Sequence, residues 1–176
     1  VERGLIHLYH GDGKGKTTAA IGLCIRAAGN GRQVLFSQFM KGDTSGEIGI
    51  LKKIPGIKVL HSDFAAGFYG QMSEEEQRIF AAGQKKLLET VVQEIAAMPE
   101  RSIIVLDEIT YAYQWNLIER KTLDNLLRDK PDTMELIMTG RNPEAVLIDA
   151  ADYVTEMKCE KHPFIQGVEA RRGIEY

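Results

Sequence analysis

His10-Gly11-Asp12-Gly13-Lys14-Gly15-Lys16-Thr17-Thr18 is the stretch that decides how this chain is read. Before it lies a short apolar run, Leu5 to Tyr9. After it comes the alanine-rich segment Thr17 to Ala28, which reads as a helix stopped by Gly29 and Gly31. A glycine-rich turn between a strand and a helix is what phosphate binding requires. Glycines let backbone amides turn inward, and the helix N-terminus adds positive field. Lys16 reaches a phosphate, and the Thr17 hydroxyl faces a magnesium ion. The strict pattern G-x-x-x-x-G-K-[ST] is met at Gly15, Lys16 and Thr17 but begins here with His10. The plain alternative is a glycine-rich turn with surface lysines.

Working outward, the chain alternates strand and helix. Val34 to Met40 reads as a strand and Gly46 to Ile54 as a short helix ended by Pro55-Gly56. Ile57 to Leu60 is a third strand, and Ser62 to Gln71 an irregular loop. Ser73 with Glu76 forms a capping box that opens a long helix. Phe80, Leu87, Val91 and Ile95 share one face of it, and Pro99 marks its end. Ile103 to Leu106 is a continuous apolar run, the pattern of a strand buried on both faces. Leu117 to Arg128 reads as a helix and Met134 to Met138 as another buried strand. Asn142-Pro143 is expected to cap and open a further helix, and Tyr153 to Met157 to form a last strand. The sum is an α/β fold, a mostly parallel sheet with helices on both faces, with residues 1–176 as one domain.

Asp107 and Glu108 follow the buried run at once. Strand C-termini of a parallel sheet line the ligand crevice, so this acidic pair is placed to hold magnesium directly or through water. The alternative is a pair of solvated carboxylates.

Composition narrows the field. With 22 Lys and Arg against 25 Asp and Glu, the net charge of −3 does not suit a protein that grips nucleic acid by bulk electrostatics. Apolar residues make up 44% of the chain, enough for a real core, and no run approaches the roughly 20 residues of a membrane helix. Cys24 and Cys159 lie in no metal-ligand spacing, and a reducing cytoplasm is expected.

The loop GDGKGKTTAA, Arg26, the segment Gln38 to Gly42, VLDEITYA (Val105 to Ala112), Thr139 to Arg141, Ala151 to Met157 and the closing KHPF…GIEY occur in order. Together they resemble the P-loop ATP:corrinoid adenosyltransferases over nearly the whole chain, from Gly4 to Tyr176. The resemblance implies a RecA-like P-loop NTPase fold and a homodimer. It implies transfer of the 5′-deoxyadenosyl group of ATP to the Co(I) of a reduced corrinoid, cobalamin or a precursor, with triphosphate as leaving group. It also implies ATP held in reverse, its terminal phosphate deep in the loop.

On that resemblance the nucleotide is held by Gly11, Asp12, Gly13, Lys14, Gly15, Lys16, Thr17 and Thr18, with Lys41 as a further phosphate neighbour. Arg26 is either near the nucleotide or a helix-surface arginine. Magnesium or manganese falls to Thr17, Asp107 and Glu108, and catalysis to Lys16, Thr17 and Glu108. The family's aromatic loop, roughly G-F-x-W, is matched by Gly67-Phe68-Tyr69-Gly70, where glycine replaces the tryptophan. Phe68 is read as an apolar wedge under the corrin ring, or else as a loop anchor with Tyr69. His61 is a weaker candidate for the corrinoid side, His7 is read as packed, and Tyr111, Tyr113 and Trp115 as core or dimer contacts. A reductase supplying the electron for Co(I) is an implied partner. The family's covering N-terminal segment is expected to be absent or truncated, because the chain starts at Val1.

Three other activities share the loop: a RecA-like ATPase acting on nucleic acid, a small-molecule kinase, and a nucleotide-gated regulator without turnover. The first two yield ADP, so product identity separates them.

Overall fold

The computed structural model describes residues 3–41, 45–62 and 69–175. Six parallel strands form one sheet in the order β3-β2-β4-β5-β1-β6. These are β1 (Ile6–His10), β2 (Val34–Gln38), β3 (Ile57–His61), β4 (Ile103–Asp107), β5 (Glu135–Gly140) and β6 (Tyr153–Glu156). The helices are α1 (Lys16–Gly29), α2 (Gly46–Leu51), α3 (Glu74–Ala97), α4 (Ile109–Gln114), α5 (Arg120–Asp129) and α6 (Ala145–Ala150). The chain leaves β1 toward β2 on one side of the sheet and later returns past it to β6 on the other, and the C-terminal ends of β1 and β4, with β5 between them, carry the glycine loop and the acidic pair. A parallel sheet leaves its ligand crevice at such a point.

Side chains alternate across the central strands, and both faces are apolar. Leu35, Ile104, Leu106, Leu136 and Met138 pack on one side with α3, α4 and α5. Val34, Phe36, Ile103, Val105 and Ile137 pack on the other with Ala20, Cys24 and Ala27 of α1. That is why IIVL reads as an unbroken apolar run rather than an alternating one. The expected capping box is present: Glu76 N donates to Ser73 Oγ, and Ser73 N donates to Glu76 Oε2. Phe80, Leu87, Val91 and Ile95 are all buried, joined by Gln84 and Leu88.

Some boundaries differ from expectation. Asn142-Pro143 does not open α6, because Asn142 sits at φ 45° and the cap is Glu144. The turn is set by Gly140 and Asn142, both at positive φ, before the chain can wind into helix. Leu117 and Ile118 are buried ahead of α5 rather than in it, since the apolar pair anchors the connection. Helix α4 was not read from the sequence; it follows Glu108 directly, and Glu108 itself is in the left-handed conformation at φ 59°. Of the loop expected over 62–71, residues 63–68 lie outside those described, and Tyr69–Gln71 forms one 3₁₀ turn.

Replacing Leu106 by Ala should cost about 2–5 kcal/mol of unfolding free energy, and Ser73 by Ala about 1 kcal/mol, both measurable by urea denaturation.

Candidate nucleotide site

The glycine loop is held from one side by the chain leaving β6. Met157 N donates to the His10 carbonyl, and Gly13 N donates to the Met157 carbonyl, each at 2.7 Å. A Cβ on Gly11 would lie 2.5 Å from the Met157 oxygen, and one on Gly13 would lie 2.6 Å from it. Gly11 and Gly15 also sit at φ 109° and 119°. The glycines therefore let the loop turn and let β6 close against its back. The Gly13 amide is engaged in that contact, so the inward-facing donors are those further along, toward the start of α1. Gly15 caps α1 without a side-chain acceptor, and the first helical amides stay available to an anion.

Lys16 is buried, and its Nζ donates to the Gly13 carbonyl at 2.8 Å. Burial lowers its pKa, while the nearby carboxylate of Glu108 opposes that shift. Asp107 is fully buried at the end of β4. Its Oδ1 accepts from Thr17 Oγ1 at 2.9 Å and from Thr139 Oγ1 at 2.6 Å, and its Oδ2 accepts from Gln38 Nε2 at 3.1 Å. Glu108 N donates to Thr139 Oγ1. The Glu108 carboxyl is raised above the ordinary carboxylate range, first by burial and then by Asp107; Lys41, Lys16 and Arg141 pull it back.

Lys16, Thr17 and Glu108 face one cleft of about 630 Å³, lined also by Lys14, Gly15, Thr18, Lys41, Glu47 and Arg141, while the fully buried Asp107 stands behind Thr17 and does not line it. The structure thus brings together most of the residues expected at the site. Asp12 stands at the rim with Arg141, 3.9 Å apart. Arg26 is not brought there. It lies in the last turn of α1, about 15 Å along the helix from Lys16, and lines a different cleft with Arg32 and Arg101. Phe68 lies outside the described residues. His7 is packed in the sheet, its Nε2 2.9 Å from Glu135 Oε2. His61 Nε2 meets Lys52 Nζ at 3.0 Å.

Thr139, Gln38, Glu47 and Arg141 were not singled out as site residues. Thr139 and Arg141 stood in a motif at the end of a predicted strand, and parallel neighbours end level with one another. That was the available signal. Glu47 had none, since only the fold carries α2 to the cleft.

The hydroxyl of Thr17 and the carboxylates of Asp107 and Glu108 are hard oxygen donors of the kind a small divalent cation takes. Two observations fit that ion. Glu108 has no side-chain hydrogen bond among the described residues, and it stands beside Asp107, whose charge a cation would offset. The buried Gln38 Oε1 accepts no hydrogen bond from the described residues either.

Fold and site together define a P-loop nucleotide-binding protein. Two solved structures share the architecture. The cytoplasmic domain of EssC matches with a TM-score of 0.57 at 17% identity, over 97% of this chain and 36% of that one. EssC ATPases 2 and 3 from Geobacillus thermodenitrificans match with a TM-score of 0.51 at 15% identity, over 96% and 35%. The chain spans about a third of each, and the likeness is one of fold. Residues 2–176 match the family described as ATP:corrinoid adenosyltransferase BtuR/CobO/CobP, and the chain belongs to that family. A corrinoid adenosyltransferase of Pseudomonas aeruginosa is 34% identical over 99% of this chain and 85% of its own length. Corrinoid adenosyltransferase CobA of Salmonella typhimurium is 34% identical over 99% and 87%.

Two substitutions test the geometry. Gly13→Ala should lose about 1–3 kcal/mol of stability by overpacking against Met157 and weaken ATP binding, read by thermal unfolding and titration calorimetry. Glu108→Gln should do the opposite to stability. A raised carboxyl means the folded state holds its proton more tightly than the unfolded chain does. Stability then falls as pH rises from about 4.3 through the raised pKa, and the deficit persists at neutrality. The ligand-free variant should melt at a higher temperature than the parent at pH 7, and the difference should vanish below pH 4.

Proposed function

We propose that residues 1–176 form one domain that transfers the 5′-deoxyadenosyl group of ATP to the cobalt of a reduced corrinoid and releases triphosphate. The observation that carries this is the cleft at Lys16, Thr17 and Glu108 in a chain that belongs to the corrinoid adenosyltransferases.

In this reading the Co(I) of the corrinoid substrate supplies the electron pair and attacks C5′ of the ribose. The cobalt–carbon bond forms as the C5′–oxygen bond breaks, and the bonding pair leaves on the triphosphate. No side chain is the nucleophile. The protein's work is to hold ATP in line and to stabilise the charge that gathers on the leaving group. Lys16 and the amides at the start of α1 are aimed where that charge develops. Thr17, Glu108 and, through its hydrogen bond to Thr17, Asp107 would hold magnesium or manganese, which would draw charge from the phosphate oxygens when bound. Lys14, Lys41 and Arg141 add positive field around the cleft.

The corrinoid side is supported by an aromatic group beyond the acidic pair. Tyr111 stacks obliquely on Trp115 at 5.1 Å between ring centroids, and Trp115 stacks on Tyr69 at 5.7 Å. Trp115 is 44% exposed, so it is not a core residue, whereas Tyr113 is buried. The group ends at Tyr69, next in sequence to Phe68. It offers an aromatic, largely apolar surface, in keeping with a wedge that promotes loss of the lower axial ligand.

The same reading includes a homodimer, a reductase that supplies the electron for Co(I), and a cytoplasmic setting. An edge strand, β6, whose Tyr153 and Val154 are exposed supports the first. Two free cysteines support the last. Among the described residues no helix is long and apolar enough to cross a membrane.

The test is anaerobic incubation with magnesium ATP and chemically reduced cob(I)alamin. A light-sensitive adenosylated corrinoid should form with one triphosphate per turnover. Lys16→Ala should lower the rate by about a thousandfold while leaving the fold intact by circular dichroism. Release of ADP would instead favour an ATPase or a kinase.

A further inference from the structure

The phosphate cleft has a wall that neither the glycine loop nor the acidic pair supplies. Residues 171–175 turn back across its mouth, so that Gly173, Ile174 and Glu175 line it opposite Lys14 and Thr18. Glu175 Oε1 accepts from Lys14 Nζ at 3.1 Å. The same carboxylate accepts from Arg171 three times, at 3.0 Å from Nη2, 3.3 Å from Nε and 2.8 Å from the backbone amide. The Glu175 side chain is 23% exposed, and that of Lys14 is 53% exposed. The hydrogen bond from Arg171 holds the Glu175 carboxyl down at about 2, so it is ionised at neutral pH.

Lys14 belongs to the loop itself, one residue before Gly15. A carboxylate fixed on that lysine stands where a phosphate oxygen of a ligand would be met. Arg171 carries most of the contact to Glu175 and does not line the cleft. The carboxylate is therefore anchored on its own turn, and Lys14 is the partner that can leave. We infer that Glu175 is an internal counter-ion on Lys14: a competing carboxylate that an incoming polyphosphate must displace, and that takes Lys14 back as the leaving triphosphate departs. Such a competitor weakens every ligand that needs the lysine, and its negative charge opposes a polyphosphate in proportion to the charge the ligand carries. The proposal rests on reading the cleft as the triphosphate site.

The experiment uses the full chain and inorganic tripolyphosphate, pyrophosphate and magnesium ATP as probes, with affinities from titration calorimetry. Glu175→Gln keeps the shape of the side chain and removes its charge. It should bind tripolyphosphate about three- to tenfold more tightly than the parent does and pyrophosphate more tightly too, with the smaller gain for pyrophosphate, which carries less charge. Release of tripolyphosphate, followed by stopped flow, should slow by a similar factor. In a Lys14→Gln background the same change should have little effect, because the lysine it competes for is gone. Unchanged affinities in Glu175→Gln would overturn the inference. So would weaker binding, which would make Glu175 a support for Lys14 rather than a rival to the ligand. A parent protein that binds none of the three probes would instead overturn the reading of the cleft.

Discussion

A carboxylate that is wholly buried and hydrogen-bonded on every side organises this protein. Asp107 ends β4 and accepts from Thr17 at the start of α1, from Thr139 on β5 and from Gln38 on β2. A buried carboxylate without such donors would be costly; with them it becomes a fixed point in the sheet. Through Thr17 it sets the rotation of the helix that follows the glycine loop. Through Thr139, which also accepts from the amide of Glu108, it sets the backbone that turns Glu108 toward the cleft. The two halves of the site, Thr17 and Asp107, stand 90 residues apart in sequence and are thus joined by one oxygen atom that Thr17 and Thr139 both address.

The second constraint is steric. The glycine loop is commonly thought of as facing its ligand, yet two of its glycines are needed at the back. Met157 and Lys158 run close enough behind Gly11 and Gly13 that a methyl group at either would collide with backbone oxygen. Strand β6 therefore does more than extend the sheet. Its continuation seals the loop and takes the Gly13 amide, which leaves the anion to the amides nearer α1. The His10 that breaks the strict motif is the last residue of β1, paired with Gly140 and Glu156 on either side. At that point the chain is still in the sheet, with no turn for a glycine to make.

Charge in the cleft is arranged in opposition. Burial disfavours the charge on Lys16 and on Glu108 alike, and each is sustained partly by the other. Such a pair favours ligands that bring both signs, an anion for the lysine and a cation for the carboxylate. A nucleotide with its divalent ion answers that description. Ligand-free, the site is a region of stored electrostatic cost that better-paired substitutions would relieve at the expense of function.

Much of this was legible in the chain itself. Continuous apolar runs of four or five residues, a glycine turn before an alanine-rich helix, and Ser73 with Glu76 each act through neighbours in sequence. Local stereochemistry and hydrophobic period are enough to read them. So too with Lys16 and Thr17, which open the helix after the glycine turn, and with Asp107 and Glu108, which follow a buried strand to its C-terminal end. What the sequence could not decide was every relation between distant segments. Arg26 is in the right helix but at its wrong end, since a 14-residue helix carries it away from the loop. Helix α4 has no capping signal because it starts from a left-handed glutamate that the hydrogen bond to Thr139 holds in place. The arrival of Glu47, Arg141 and Glu175 at the cleft depends on crossovers and on a chain end folded back. No residue near them in sequence encodes the partner they meet, and only the packed sheet brings those charges within reach of one another.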